Sequence, residues 1–476
     1  MVFSSPVFLF LFLPIVLLLV LTARDRKRQN TLLLIASLFF YAWGEGAYVL
    51  LMLVMVLVNY LAALATQGAP GTRSWIAMAI ILNLGVLVWF KYANFLVDSS
   101  NTLLEGLALP LMQLDPVHLP IGISFFVFQG ISYVIDVYRG HAKAQTKPGS
   151  VALYISLFPQ LIAGPIVRYS DVAEQIDQRS LNVPLFASGV RRFIIGLAKK
   201  VLIADQVARI AEPIFELDAG VISPGVAWLG IIAYSIQIYF DFSGYSDMAI
   251  GLGRMFGFRF LENFDLPYIA RSVREFWQRW HISLSTWFRD YLYIPLGGNR
   301  TGPVRTYVNL FIVFLLTGLW HGASWNFVIW GLIHGSFMIM ERTGAMRWIQ
   351  RTPRSVGTAY TLLVVLVAWV FFRVEDLTDA WHFVLGMFHA RSFDAITYTP
   401  AQFLTRTSMV ALAIGVLGAL NVHGFIASLM SWNVSEERIP VGARGMLQVV
   451  GLALLLIMVG MHVASSTFSP FIYFRF

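Results

Sequence analysis

The sequence predicts an all-α polytopic membrane protein. Three observations carry that reading. Of 476 residues, 58% are hydrophobic and 13% charged, with a mean hydropathy of +0.70. Apolar runs of helical length recur along nearly the whole chain. Lysines and arginines gather in the short segments between those runs, as the positive-inside rule expects.

The elements follow in order. The first run, 6–22, is followed by Arg24, Arg26, Lys27 and Arg28. A secretory signal carries its positive charge before its apolar core, so this run reads as a retained helix with the N-terminus outside and the basic loop in the cytoplasm. Further spans are expected near 31–43, 47–66, 75–97, 151–166, 186–204, 224–248, 306–320, 324–340, 358–373, 408–426 and 446–466. Several fall short of the ~20 residues a full crossing needs, so some must be re-entrant, broken or buried in the bundle. The expectation is about ten to thirteen membrane-embedded helices by that length arithmetic. They form a single integral-membrane domain, 1–476, with no large soluble module. Residues 376–407 are more polar and read as a loop with a short helix.

The net charge of +8 does not indicate nucleic acid, because the basic residues occupy interhelical loops rather than a soluble basic face. Cysteine is absent, which excludes disulfides, thiolate metal sites, a cysteine nucleophile and palmitoylation. Walker, Gly-x-Ser-x-Gly and His-Glu-x-x-His patterns are also missing, and the nine histidines lack metal-ligand spacing. No internal repeat suggests an inverted-repeat transporter.

The chemistry is concentrated between about 119 and 341. His321 interrupts an apolar run that resumes at Trp325. An ionisable group at membrane depth is costly and is a functional candidate by default. One straight helix from 306 to 341 would be about 54 Å long against a hydrocarbon core of about 30 Å. Basic flanks on both sides (Arg300 and Arg305; Arg342, Arg347, Arg351 and Arg354) therefore suggest a hairpin with His321 at its apex, broken at Gly318 or Gly322. An imidazole there can take the proton of an attacking hydroxyl. His334, on the second arm, reads as a packing or interhelix hydrogen-bonding residue.

Residues 259–305 are too charged to span, and their aromatics interleave with arginines as in interfacial helices. His281 lies in this stretch and is a candidate either to assist catalysis or to touch a cytoplasmic cosubstrate. Residues 291–299 read as an extended piece and a turn. The run 239–247 places Asp241 and Asp247 at membrane depth, where they need cationic partners such as Arg254 or the arginines of the next segment. Polar groups in 128–136 read as interhelix hydrogen bonding. Two prolines and a glycine in 159–168 break a helix, as a simple end or as a binding loop.

The wording of 263–299, above all Arg279-Trp280-His281-Ile282-Ser283-Leu284-Ser285-Thr286-Trp287-Phe288-Arg289-Asp290, together with Trp320-His321-Gly322 and 239–247, closely resembles the membrane-bound O-acyltransferase family, in its bacterial polysaccharide branch. The resemblance covers about half the chain. It implies a ring of tilted, re-entrant and interfacial helices around a thin central tunnel. It implies His321 as the catalytic histidine and His281 as the second. Asp241, Ser243, Tyr245, Asp247, Arg279, Trp280, Ser283, Trp287, Arg289, Asp290, Trp320 and Asn326 are then candidates for the substrate tunnel. The implied reaction moves an acetyl group from a cytoplasmic thioester, acetyl-coenzyme A or another, across the bacterial inner membrane to an exported polysaccharide such as alginate. No bound cofactor or metal is expected. Periplasmic or membrane-anchored acetyl-accepting proteins and membrane lipid are the expected partners. Acyl or D-alanyl transfer to teichoic acid, cellulose or peptidoglycan, and a non-enzymatic transporter or scaffold, are the alternatives.

Overall fold

The computed structural model describes residues 1–66, 72–218, 222–389, 398–420 and 442–465. The described residues form helices, turns and loops, with no strand among them. The chain divides into two compact units, Met1–Phe193 with Met248–Leu261, and Ile194–Asp247 with Glu262–Phe476. Among the described residues, six helices are long and apolar enough to cross a membrane, and three shorter ones are apolar. The protein is a multi-pass integral membrane protein.

The first unit contains α1 (Phe8–Thr22), α2 (Arg26–Glu45), α3 (Tyr48–Ala65), α4 (Thr72–Gly106) and α5 (Ile123–Tyr138). Its remaining helices are α6 (Pro148–Ser156), the single turn α7 (Phe158–Leu161), α8 (Tyr169–Gln178) and the start of α9 (Val183–Ala198). Asp25 caps α2 by accepting from the Arg28 amide, so the basic loop ends in a defined helix start. Phe8, Phe40 and Phe158 meet with ring centroids 5.5–6.1 Å apart. Asn59 on α3 and Asn83 on α4 exchange side-chain amide bonds at 2.9 and 3.2 Å. That pair packs over Gly130 of α5, where a Cβ would come 2.3 Å from the Asn59 amide. Small residues and paired amides hold helices together where no water competes.

Two expectations are corrected here. Residues 151–166 are not one span. The chain leaves helix at Leu157 (ψ 110°) and restarts as α7 with Pro159 near its beginning. Proline there removes an amide and would clash with the carbonyl four residues back in a continuing helix. Conversely, 123–138, which the span reading omitted, is a helix buried along almost its entire length. Among its polar groups Asp136 bonds to another element, as expected, accepting from Ser170 Oγ at 3.0 Å, whereas Ser132 bonds back to the Gln129 carbonyl within the helix.

The second unit begins as α9 runs through a π-helical turn (Lys199–Ala204) into α10 (Asp205–Phe215). It continues with most of α11 (Pro224–Met255), the short α12 (Val273–Arg279) and α13 (Ile282–Phe288), and α14 (Pro303–His321). Then come α15 (Trp325–Met340), α16 (Met346–Arg351), α17 (Arg354–Arg373), α18 (Leu377–Phe388), α19 (Arg406–Ala419) and α20 (Ala443–Ser465). The expected span 408–426 is described only as far as 420. The expected short helix in 376–407 is α18. The extended piece expected at 291–299 is instead a π-helical turn, Arg289–Tyr293, followed by turns.

α14 and α15 form the hairpin that the basic flanks suggested. They pack backbone to backbone: a Cβ at Gly318 would lie 2.3 Å from the Phe327 carbonyl oxygen, and one at Gly331 would lie 2.3 Å from that of Phe314. The break falls at Gly322, where a Cβ would sit 2.1 Å from the Phe327 ring. No other residue fits that corner without moving the ring.

Glu341, at the end of α15, fixes the start of α12. Its two carboxylate oxygens accept from the amides of Val273 (2.6 Å) and Arg274 (3.1 Å), and it receives the Tyr360 hydroxyl at 3.3 Å. Burial pushes this carboxyl above its ordinary value. Replacing Glu341 by Ala leaves two helix-start donors, one buried and one part-buried, without their acceptor. The expected cost is about 1–3 kcal/mol, read as a lower thermal midpoint of the purified protein, with Glu341→Gln losing less.

Candidate active site

His321 is the last residue of α14 and is almost fully buried. Three aromatic edges enclose its ring: Trp320 at 5.0 Å, Trp330 of α15 at 4.8 Å and Phe372 of α17 at 5.2 Å. Asn326, one turn past the break, donates to the Val374 carbonyl at 2.5 Å. That bond ties the hairpin apex to the end of α17. The carbonyls closing α14 put partial negative charge beside the imidazole. This suits a group that carries positive charge while it holds a hydroxyl's proton.

His281 sits between α12 and α13 with a left-handed backbone (φ 44°). That conformation is uncommon for a side chain with a Cβ, and it persists only where the surroundings over-determine it. Here two backbone bonds do so: Asp265 N–H to Arg279 O at 2.9 Å and Ile282 N–H to Asn263 O at 3.0 Å. The ring is fully buried, edge-on to Phe242 of α11 at 4.7 Å and 6.0 Å from Trp320. Burial pushes the imidazole down to about 3. Trp320 thus touches both histidines, and the two belong to one aromatic layer. Trp280 stands behind it, within 5.0–5.1 Å of Phe264 and Trp369.

A cavity of about 830 Å³ opens in the same unit. Its lining includes Arg274, Gln278, Arg289 and Arg342 together with Trp277, Val313, Phe314 and Thr317. Thr317 lies four residues, one helical turn, before His321 on the same face of α14. The cavity therefore runs from the basic end of the hairpin, which is cytoplasmic by the charge rule, to the turn beneath the histidine. The 19 residues of α14 rise about 28 Å, so the helix is long enough to carry His321 far from that basic end.

Residues 239–247 lie on α11. Asp241 and Asp247 are ion-paired as expected, and Lys200 and Lys199 are among their cations. Lys200 lies 2.7 Å from both Asp241 and Asp205, and Lys199 lies 2.6 Å from Asp247. The π-helical turn points the two consecutive lysines at carboxylates six residues apart. Gly244 allows the close approach, since a Cβ there would come 2.7 Å from the Gly196 carbonyl oxygen. Ser243 and Tyr245 are buried on the same helix. Removing Lys200 leaves buried carboxylates short of a cation. Lys200→Met is expected to destabilise the protein by about 3–5 kcal/mol, seen as loss of folded protein from membranes, whereas Lys200→Arg retains it.

Other candidates are placed differently. Arg279 is committed to Glu275 (3.0 Å) and Asp265 (2.9 Å), so it pins the loop around His281 rather than lining the cavity. Arg289 chelates its neighbour Asp290 at 2.6 and 3.0 Å at the cavity's basic end. Trp287 packs against Tyr291 at 5.2 Å. Ser283 lies beside His281, sharing Asn263 with it. Sequence reasoning passed over Asn263, Lys199, Lys200, Trp330 and Glu341. Lys200 carried a readable signal, a cation inside an apolar run.

The sequence matches the profile of MBOAT, the membrane-bound O-acyltransferase family, over residues 35–378. The chain belongs to the membrane-bound O-acyltransferase family. Among individual relatives, it is 44% identical over 450 residues to a probable alginate O-acetylase of Pseudomonas putida, covering 91% of this chain and 92% of the relative. It is 47% identical over 381 residues to a probable alginate O-acetylase of Pseudomonas aeruginosa, covering 79% and 72%. A peptidoglycan O-acetyltransferase of Helicobacter pylori is 37% identical over 398 residues, covering 76% and 74%. The protein is thus a membrane-bound O-acyltransferase.

Proposed function

We propose that this acyltransferase takes an acetyl group from a cytoplasmic acetyl thioester, acetyl-coenzyme A or another, and delivers it across the inner membrane for O-acetylation of an exported polysaccharide, alginate first. The observation that carries the reading is the cavity that joins a basic end to the turn beneath His321. The donor enters there. Arginines meet its anionic portion, and its narrow acyl-bearing arm lies along Val313, Phe314 and Thr317.

His321 takes the proton of an acceptor hydroxyl as that oxygen attacks the thioester carbonyl. The carbon–sulfur bond breaks, and the departing thiolate takes up the proton. Apolar walls of Trp320, Trp330 and Phe372 keep water from competing with the acceptor. The acceptor side faces away from the basic loops, where periplasmic or membrane-anchored acetyl-accepting proteins are the partners. The similarity to a peptidoglycan O-acetyltransferase supports a second reading, in which another envelope glycan is the final acceptor of the same chemistry.

The test is donor use by the purified protein in lipid vesicles. Thr317→Trp fills the cavity below His321, and Arg274→Ala with Arg342→Ala removes charge at its basic end. The first is expected to abolish release of free thiol from acetyl-coenzyme A. The second is expected to raise the donor KM about tenfold with kcat little changed, because ground-state binding is lost. Unchanged donor kinetics in both would contradict donor entry by this route.

A further inference from the structure

Asn263 knits together the loop around His281. Its backbone carbonyl accepts from Ile282 N–H. Its side-chain Nδ2 donates to Ser246 Oγ of α11 at 3.1 Å. Its Oδ1 accepts from the Ser283 backbone N–H at 3.2 Å and from Ser283 Oγ at 2.8 Å. A backbone N–H is a donor only, so this contact establishes which amide atom is the oxygen.

The same Oδ1 lies 3.2 Å from His281 Nδ1. Two lone pairs facing each other at that distance would repel, so Nδ1 must bear the hydrogen. Ser283 Oγ, 3.4 Å from Nδ1, spends its own hydrogen on the shorter bond to Asn263 and meets Nδ1 with a lone pair.

We infer that Asn263 is a positioning residue that fixes His281 as the neutral tautomer protonated on Nδ1, so that Nε2 presents a lone pair. This decides between the two roles that the sequence left open for His281. An acceptor at Nε2 recognises a hydrogen-bearing group, a hydroxyl or a thiol, and not the phosphates of a cytoplasmic cosubstrate. The inference rests on the reading of His281 as part of the acyl-transfer site. It names the chemistry of that side of the site: His281 orients the hydrogen of a reacting hydroxyl or thiol, while Asn263 does for His281 what a buried carboxylate does for the histidine of a hydrolytic triad.

The test is nuclear magnetic resonance of isotope-labelled histidine in the full chain in lipid nanodiscs, with His281→Gln assigning the signal, alongside acetyl-transfer kinetics. The native His281 is expected to carry its hydrogen on Nδ1 only. In Asn263→Ala that tautomer is lost, and kcat falls about a hundredfold without a matching rise in donor KM. Asn263→Asp keeps the acceptor, retains the Nδ1–H tautomer and recovers most of kcat. It also moves the acid limb of the rate–pH profile upward, because a carboxylate beside the ring favours the imidazolium. A native His281 protonated on Nε2, or full turnover in Asn263→Ala, overturns the inference. The tautomer is read without substrate, so it stands or falls separately from the acetyl-transfer reading.

Discussion

His321→Gln is expected to lower the rate of acetyl transfer by about a hundredfold to ten-thousandfold, the range that a general base contributes, while the protein remains folded and membrane-inserted. The site explains why the loss is confined to chemistry. His321 ends α14, and its surroundings are aromatic edges contributed by Trp320, Trp330 and Phe372. Glutamine fills much of the same volume and keeps a polar end, so the cage and the corner at Gly322 stay closed. What disappears is a group that can take a proton. Donor KM is expected to hold, because the cavity below Thr317 is untouched. Transfer kinetics in vesicles, with thermal midpoints as the folding control, check this. A tenfold or smaller fall in kcat would make the histidine a structural residue.

Gly331→Ala is expected to be nearly as damaging by a different route. The added Cβ would start 2.3 Å from the Phe314 carbonyl oxygen, and a backbone atom cannot rotate aside. The arms of the hairpin must part, at a cost of about 1–3 kcal/mol or more, and the opening shifts His321 against Phe372 and the cavity. Displacement of a catalytic group by about 1 Å can cost a hundredfold in rate. Activity is therefore expected to fall by about that factor, together with a lower thermal midpoint. Gly85→Ala on α4, where nothing lies within 4 Å of the added carbon, is the matched control. It should be neutral or mildly stabilising, because alanine favours helix by about 1 kcal/mol over glycine. Equal behaviour of the two variants would argue that the hairpin's close packing does not position the site.

The sequence was most legible where polarity conflicts with its surroundings. His321 inside an apolar run, with basic residues on both outer flanks, was enough to place a hairpin and its apex. The crowded wording around His281 pointed to the second histidine. Tertiary pairing was less legible. Asp241 and Asp247 announced a need for cations, but the register between α9 and α11, set by Gly244 against Gly196, decides that Lys200 and Lys199 supply them. Arg279 stood out by charge, yet its guanidinium is consumed by Glu275 and Asp265. Asn263 gave no signal, because one asparagine in a polar loop looks like any other until the 263–265 and 279–282 segments pair. The cavity, too, is a property of how α12 and α13 pack on the hairpin, which hydropathy does not encode.

The most direct test of the account is the acetyl content of the secreted polysaccharide from cells that lack this protein and are complemented with the native chain or with His321→Gln at matched membrane levels. The account predicts acetylation with the native chain and none above background with the variant. Equal acetylation with both would contradict it, and would leave the protein as a conduit or scaffold whose buried histidine does no chemistry.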